Sequence, residues 1–289
     1  MEFFSLIWNE ILVRPMINAL VSLYILLFNN FGLSIIVFTF FIRLLTLPLT
    51  KKQLNATKKM STLGPTINAL KNKYPNDKAK ISQETMRMYK QEGVNPVGCL
   101  GPMLIQLPIW IALYQSIMQI LPSTPEAITK LSTKLYYWAA FVHSAVPVDS
   151  TFLFWDLAIP DSTPILPLLV GVSMWVQQKM TIIPTTDPKQ KQTNTMMLWM
   201  MPIMFMFFTF SFPSGLALYW TVSNLVGIVI QYLISGWGGL LPKPKKEAEK
   251  SLNVETSQDD DVTIKSDEEK NDDGERRSNG ENSRRGNRN

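Results

Sequence analysis

Long apolar runs separated by polar segments dominate the first 240 residues of the chain. The runs cover about residues 31–50, 98–121, 164–183 and 195–237, and the turn Pro213-Ser214-Gly215 divides the last run into two. At about 1.5 Å of rise per residue, helices of these lengths match a hydrocarbon layer about 30 Å thick. Backbone polar groups inside a bilayer need internal partners, so spanning segments of this kind are helical. The pattern predicts an all-α integral membrane protein with five transmembrane helices.

The N-terminal segment, residues 1–30, has a weaker pattern. Glu10, Arg14 and Pro15 interrupt it and leave an apolar stretch over 16–28, which is too short to span comfortably. We expect an amphipathic helix that lies in the membrane interface on the outside. A sixth span is the alternative.

The first transmembrane helix, residues 31–50, carries a charge inside its apolar run. Counted from Gly32, Arg43 lies roughly 16 Å along the helix, near the middle of a bilayer. A charge at that depth usually faces a partner or a water-filled cavity. Threonines at three- and four-residue steps put a polar stripe on the same helix face: Thr39, Thr46 and Thr50. The alternative is an arginine that snorkels to the interface near Lys51 and Lys52.

Residues 51–97 form a basic polar segment with ten Lys or Arg residues. Apolar residues recur at helical spacing in its first half, with a kink expected at Gly64-Pro65, and Pro75-Asn76-Asp77 supplies a turn and a cap for a second helix over 78–91. The segment is predicted to be a helical hairpin. An ordinary solvated loop is the alternative. The candidate residues for binding a partner are Lys58, Lys59, Lys71, Lys73 and Arg87.

Charge sets the expected orientation. The basic hairpin is predicted to be cytoplasmic, which places the N-terminus and the acidic external segment, residues 122–163, outside. A cytoplasmic loop is expected at 184–194. Residues 242–289 contain no aromatic residue but 11 basic and 13 acidic ones, a composition that predicts a disordered cytoplasmic tail. The remainder keeps 17 of the 28 basic and 10 of the 23 acidic residues, so its formal charge is about +7.

The supply of chemically reactive residues is small. One cysteine and one histidine in 289 residues exclude a disulfide framework, a Cys-based metal site and the common catalytic triads. We expect no enzyme activity, no metal, no cofactor and no specific nucleic acid partner. A small channel or transporter for an anionic solute would suit Arg43, as would a structural membrane subunit whose partner supplies a carboxylate.

Several segments, in order over about residues 30–236, resemble the Oxa/YidC/Alb family of membrane protein insertases. The carrying segments are Ile42-Arg43-Leu44 through Lys51, Tyr89-Lys90 through Cys99, Pro102 through Ile109, Ile165-Leu166-Pro167 through Met180, and Phe212 through Trp220 with Ser223-Asn224. The likeness is to the bacterial form with a short N-terminal region.

The resemblance implies five helices around a hydrophilic groove that is open to the cytoplasm and to lipid, in a bacterial plasma membrane. It implies that the protein inserts and folds nascent membrane proteins, alone or with the Sec translocon, and that the hairpin receives a ribosome or a targeting receptor. Residues placed in a substrate-binding groove, by the resemblance or by the polar stripe, are Arg43, Thr39, Thr46, Thr50, Gln106, Gln177, Gln178, Tyr219 and Trp220. Only one of the two neighbouring glutamines is expected to face the groove.

Overall fold

The computed structural model of the protein describes residues 6–93, 101–121, 124–137, 145–182 and 188–240. The side chains of residues 101–105 and 188–190 are not described. The predicted tail at 242–289 lies outside the described residues, as do parts of the segments at 122–163 and 184–194.

The described chain is almost entirely helical. A π-helical turn, Asn9–Val13, leads into the first α-helix, and a short 3₁₀ turn, Gly238–Leu240, follows the last. The elements between them are α1 (Arg14–Leu26), α2 (Phe31–Thr62), α3 (Gly64–Lys73), α4 (Lys78–Gln91), α5 (Gly101–Ile120), α6 (Pro125–Lys134), β1 (Thr151–Phe152), β2 (Trp155–Asp156), α7 (Ile165–Thr181), α8 (Pro188–Thr209) and α9 (Ser214–Ser235).

The N-terminal helix runs through the residues that interrupt its apolar pattern. Helical structure runs without a break from Leu6 to Leu26, because Pro15 falls in the first turn of α1 and the chain before it widens into a π-turn. A proline at that position loses no necessary hydrogen bond. By length and composition the helix could cross a membrane. Its interfacial location stays a prediction.

Helix α2 continues well past the predicted first span. Its N-terminus is capped by Asn30, whose side chain accepts a hydrogen bond from Leu33 N at 3.0 Å. Its 32 residues correspond to about 48 Å, which exceeds the hydrocarbon thickness, so the last part extends toward the basic hairpin. The helical course breaks at Leu63, next to the predicted kink. Helix α4 begins at Lys78, as predicted, and Asp77 caps it by accepting from Lys80 N at 2.9 Å.

The core lies between α1, α2, α5 and α9. The π-turn, helix α1 and the helices that face them contribute side chains with no exposed surface: Val13, Ile17, Leu20, Phe31, Ile35, Leu113, Ile117 and Leu216. Helix α7 packs against α9, and α8 packs against α7. Between membrane helices, close packing of such side chains and interhelical hydrogen bonds hold the helices together, because lipid is as apolar as the side chains themselves.

A short β-hairpin closes the end of the bundle opposite the basic segment. Strand β1 pairs antiparallel with β2, and the ring of Phe152 occupies the space that Gly32 leaves open at the start of α2. Ile159 O accepts hydrogen bonds from Ser214 N and Oγ, both at 2.8 Å, so the chain after β2 is attached to the start of α9. Asp161 accepts from Leu166 N at 3.0 Å and so holds the first turn of α7. The ends of α2, α7 and α9 are therefore joined.

The surface of the bundle is apolar. Large hydrophobic side chains stand exposed along the helices, among them Phe40, Phe41, Leu44, Leu45, Phe207, Phe208 and Leu233. Such a continuous apolar surface is typical of contact with lipid. In the described part of the chain, three helices are long and apolar enough to cross a bilayer by length and composition: Leu6–Leu26, Phe31–Thr62 and Ser214–Ser235. The all-α membrane class is confirmed, and the count of five spans stays a prediction.

Candidate functional site

A polar cavity lies between α2, α5, α7 and α9. Its volume is about 120 Å³. Along α2 the lining extends from Arg43 to Thr57, which is 14 residues or about 21 Å toward the basic hairpin. Further polar lining residues come from three other helices, namely Gln106, Gln177, Thr181 and Gln231. The structure thus brings together five of the predicted groove residues: Arg43, Thr46, Thr50, Gln106 and Gln177.

Arg43 is half-buried at the inner end of this cavity. Its Nε donates a hydrogen bond to Ser223 Oγ at 3.0 Å, which fixes the guanidinium against α9. Among the residues that the structure describes, no carboxylate lies within ion-pair distance of Arg43, whereas Arg14 pairs with Glu10 and Arg87 with Glu84. The guanidinium is therefore held by a neutral partner, and its charge remains available to a group in the cavity.

The opposite flank of Arg43 is apolar. A second depression of about 410 Å³ is lined by Arg43 together with residues of α2 and α9, among them Phe40, Leu44 and Val226. Arg43 consequently lies on the wall between a polar cavity and an apolar surface.

Tyr219 lies beneath Arg43 and is almost fully buried. Its hydroxyl accepts a hydrogen bond from Gln106 Nε2 at 2.7 Å and also interacts with Ser223. This connects α5 to α9 and links Gln106 to the serine that holds Arg43. Tyr219 thus supports the cavity from below and does not line it.

The structure distinguishes the two neighbouring glutamines. Gln177 lines the cavity, and its Nε2 lies 2.5 Å from the position that a Cβ atom would take at Gly227. Gln178 is half-buried and is not among the cavity-lining residues. One turn further along α7, Thr181 accepts a hydrogen bond from Gln231 Nε2 at 3.1 Å and so ties α7 to α9.

The threonines of α2 differ in their positions. Thr46 and Thr50 line the cavity, while Thr39 is fully buried and lies outside it. Each hydroxyl donates to a carbonyl of its own helix: Thr39 to Ile35 O at 2.6 Å, Thr46 to Ile42 O at 2.9 Å, and Thr50 to Thr46 O at 3.0 Å. The hydroxyl oxygens of Thr46 and Thr50 keep lone pairs that can accept hydrogen bonds from a group in the cavity.

Trp220 belongs to an aromatic cluster beside the cavity. Its ring stacks on Trp110 at 5.5 Å between centroids, and Phe205 and Phe212 meet it edge to face at 5.5 and 6.0 Å. The cluster joins α5, α8 and α9. Trp220 is half-buried and does not line the polar cavity, so a contact with substrate there stays a prediction.

The predicted partner-binding residues are spread over the hairpin end. Lys58 and Lys59 lie near the end of α2, Lys71 and Lys73 in α3, and Arg87 in α4. All except Lys71 are exposed, and no residue of α3 or α4 is buried. Lys59 Nζ donates to Glu92 O at 3.1 Å, which holds the two arms of the hairpin together.

Sequence reasoning missed three residues of α9 that form the wall facing Arg43. With Tyr219 they follow at steps of four: Ser223, Gly227 and Gln231. Residues four apart lie on one helix face. This repeat of small or polar residues in an apolar helix, opposite the stripe on α2, was the signal that could have found them.

Comparison with known proteins identifies the family. The sequence model described as 60Kd inner membrane protein matches residues 23–238. The chain belongs to this family.

Members of the 60Kd inner membrane protein family resemble this chain over most of its length. Membrane protein insertase YidC 2 of Bacillus anthracis is 40% identical over 236 residues, which are 80% of this chain and 82% of that protein. Membrane protein insertase MisCA of Bacillus subtilis (strain 168) is 38% identical over 233 residues, 79% of each. YidC of Vibrio cholerae is also 38% identical, and its matched part is 37% of that protein.

The fold agrees with a solved structure. A crystal structure of an active YidC insertase, with its first transmembrane domain resolved, matches with a TM-score of 0.52 and 25% identity. The match covers 78% of this chain and 46% of that chain. The expected relation to the Oxa/YidC/Alb insertases is confirmed.

Proposed function

We propose that the protein is a membrane protein insertase that accepts nascent membrane proteins through the polar cavity around Arg43. Its relatives are named membrane protein insertases. Membrane insertion of this kind is not an enzyme activity. The observation that carries the mechanism is the placement of Arg43. It is half-buried in a lipid-exposed helix bundle, held by a neutral hydroxyl, and adjacent to a cavity with polar walls from four helices.

The cavity lowers the cost of moving a polar segment into the bilayer. A charged side chain near the bilayer centre costs at least about 2.5–3.5 kcal/mol, because hydrocarbon cannot solvate it. A cavity of about 120 Å³ has room for several water molecules as well as polar side chains. The polar segment of a substrate would therefore be solvated to the depth of Arg43, and only the remaining half of the bilayer would be crossed in an apolar environment.

Arg43 makes the electrostatic potential of this cavity positive. Its positive potential attracts the carboxylates of an incoming segment, and charge-assisted hydrogen bonds to guanidinium are stronger than those between neutral groups. Thr46, Thr50 and Gln106 offer hydrogen-bonding groups with no demand for one sequence. The apolar segment of the substrate would then leave along the exposed apolar faces of the bundle, which accept many helices because their contacts are not specific.

The same proposal fixes a topology. The basic hairpin is cytoplasmic, five spans cross the bacterial plasma membrane with the N-terminus outside, and the mixed-charge tail is inside. In this arrangement the cavity extends from the middle of the bilayer toward the cytoplasm, because its α2 wall leads from Arg43 to the hairpin end. Labelling of single cysteines placed in the hairpin and in α6 from either side of the membrane would test this orientation.

The partners follow from the exposed charges. We place a ribosome or targeting receptor at the basic hairpin and the Sec translocon beside the bundle for larger substrates. Exposed lysines of the hairpin, such as Lys58 and Lys73, suit an acidic or phosphate-bearing partner. Reversal of these two charges should reduce co-sedimentation with ribosomes, whereas Lys130→Glu, an exposed change in α6 at the other end of the bundle, should not. Equal recovery of all variants would remove the hairpin from the proposal.

Reconstitution tests the function itself. Vesicles that contain the purified protein should insert a small single-span substrate with an acidic leading segment, and vesicles without the protein should insert much less. Protection of the leading segment from added protease reports insertion. Equal protection in both kinds of vesicle would refute the insertase function, and uptake of a small anion without insertion would favour a channel.

A further inference from the structure

An apolar groove lies on the outer surface of the bundle, between α7 and α8. It has a volume of about 280 Å³, and every residue that lines it belongs to one of these two helices. The side chains of its wall are aliphatic, aromatic or thioether groups, among them Leu168, Val172, Trp175, Trp199, Ile203 and Met206. Val172 and Trp199 are exposed, so this α7–α8 groove opens toward the surroundings of the bundle, apart from the polar cavity around Arg43.

The groove lies at the depth of the hydrocarbon layer. Along α7 its lining runs from Leu168 to Trp175, about 10 Å, and α7 continues for six residues, or about 9 Å, before it ends at Thr181. The rings of Trp175 and Trp199, 5.7 Å apart between centroids, stand at the end of the groove that points toward the basic hairpin. Beyond the two rings, both helices continue to that end of the bundle.

Both helices carry a lysine beyond the tryptophan pair, on the face that lines the groove. Lys179 follows Trp175 by four residues, and Lys191 precedes Trp199 by two steps of four, and residues four apart share a helix face. Lys179 is half-buried and Lys191 is exposed. In the part of the chain that the structure describes, neither lysine forms an ion pair with a carboxylate. The groove thus has a positive end about one turn from its apolar part.

This combination is complementary to a phospholipid. A transmembrane helix is about 10–12 Å across, so it could place only side chains in the groove, whereas an acyl chain is a single row of methylene groups and can enter it whole. Lysines at the end of an apolar helix face bind lipid headgroups, and basic pockets between membrane helices hold anionic ones. In a phospholipid the phosphate follows the acyl chains after a few bonds, which is the order of groove and lysines along α7.

We propose that the α7–α8 groove is a binding site for one anionic phospholipid, with an acyl chain in the groove and the phosphate bound by Lys179 and Lys191. The bilayer is as apolar as the groove, so the acyl chain contributes packing and the headgroup decides which lipid is held. This site is separate from the polar cavity, and its test uses no protein substrate. The lipid belongs to the leaflet that contacts the hairpin end of the bundle.

Two kinds of variant remove the two halves of the site. Val172→Trp places an indole ring in the groove from its open side, and Val229→Trp is the matched control on α9, because the two valines are 54% and 56% exposed and Val229 does not line the groove. Lys179→Gln and Lys191→Gln each remove one headgroup charge. Lys130→Gln, an exposed change in α6 at the other end of the bundle, removes an equal charge elsewhere.

Native mass spectrometry of the full chain, titrated in detergent with dioleoyl phosphatidylglycerol or dioleoyl phosphatidylcholine, measures the dissociation constant of the first bound lipid. The two lipids share their acyl chains and differ in net charge. We expect wild type to prefer phosphatidylglycerol, and each of Lys179→Gln and Lys191→Gln to reduce this preference about fivefold, while Lys130→Gln leaves it unchanged. Val172→Trp should weaken the binding of both lipids at least tenfold, and Val229→Trp should not.

A photoreactive group in the acyl chain of phosphatidylglycerol locates the bound lipid. Labelling is expected within residues 168–175 and 199–206 of wild type and should be lost in Val172→Trp. Equal affinity of wild type for the two lipids would overturn the proposal, as would equal lipid binding by Val172→Trp and Val229→Trp. A loss of preference in Lys130→Gln as large as in Lys179→Gln would show attraction by net charge alone and would also overturn it. None of these outcomes depends on the insertase function.

Discussion

The charge of Arg43 can be removed or kept, and a nearby exposed charge can be removed as a control, with a different expected effect of each change on substrate binding. Arg43→Ala deletes the charge, and Arg43→Lys keeps it as a single ammonium group without the planar fork of the guanidinium. Lys51→Ala removes an exposed charge about two turns further along the same helix. The substrate is a labelled single-span protein that carries either Asp or Asn in its leading segment.

The distance between Arg43 and a carboxylate in the cavity sets the expected magnitude. The cavity lining runs about 21 Å along α2, so its volume does not fix that distance, and we use ~6 Å, a separation with room for about one water molecule between the charged groups. At ~6 Å, two opposite charges attract by about 2.8 kcal/mol with the effective dielectric constant of a protein, and by about 0.7 kcal/mol with that of water. These values correspond to roughly a hundredfold and a threefold change in an equilibrium constant.

The assay is the ratio of binding constants, Asp over Asn substrate, measured in nanodiscs for each variant. We expect the ratio to fall by between threefold and a hundredfold in Arg43→Ala, and its position in that range reports how much bulk water fills the cavity. Arg43→Lys should keep most of the ratio, and Lys51→Ala should keep all of it. Equal ratios in all three variants and the wild type would refute an electrostatic role for Arg43 and assign it a structural one.

Three further substitutions test how the structure holds the site, each by the free energy of unfolding in detergent. Ser223→Ala removes the acceptor of Arg43 Nε and should lower the free energy of unfolding by about 1.5–3 kcal/mol. The control Thr221→Val should lower it less, because the Thr221 hydroxyl donates to a carbonyl of its own helix. Equal losses of stability would contradict the anchoring role of Ser223. Asp161→Ala removes the acceptor of the Leu166 and Thr163 backbone N–H groups and should lower the free energy of unfolding by about 1–2 kcal/mol. The control Asp156→Ala loses one exposed hydrogen bond, from Ala158 N, and should cost clearly less. The reverse order would show that α7 does not depend on the cap by Asp161. Leu153 has a φ of 57° in the turn between β1 and β2, a conformation that asparagine adopts at less cost than leucine. Leu153→Asn should therefore stabilise the protein by up to about 1 kcal/mol. A loss of stability would mean that the leucine side chain makes contacts that outweigh the backbone strain.

Local pattern was sufficient for much of the fold. The start of α4 at Lys78 and its cap by Asp77 follow from short-range chemistry, because a cap acts within three residues of its own position. Pro15 interrupts the apolar pattern of the N-terminal segment but does not break its helix. Its cost depends on the hydrogen bonds of the preceding turn, and the π-turn before it absorbs the change, which composition does not reveal.

The sequence indicated only the α2 side of the candidate site and not the facing wall on α9. Arg43 and the threonine stripe stand out, because one charge in an apolar helix is costly and a four-three-four spacing defines a face. The opposite wall on α9 carries no charge. Gly227 looks like any glycine in a membrane helix until Gln177 is seen to lie where its side chain would be.

By itself the sequence determined the membrane class, most of the helical segments and the family, since these depend on hydropathy, spacing and short motifs along one chain. Tertiary structure decided that Gln177, and not Gln178, lines the cavity, and that Thr39 is buried away from it. It also placed Trp220 in an aromatic cluster beside the cavity and paired Arg43 with Ser223, 180 residues further along the chain. The physical reason is that helical periodicity fixes which residues share a face, but the rotation of each helix is set by packing against its neighbours.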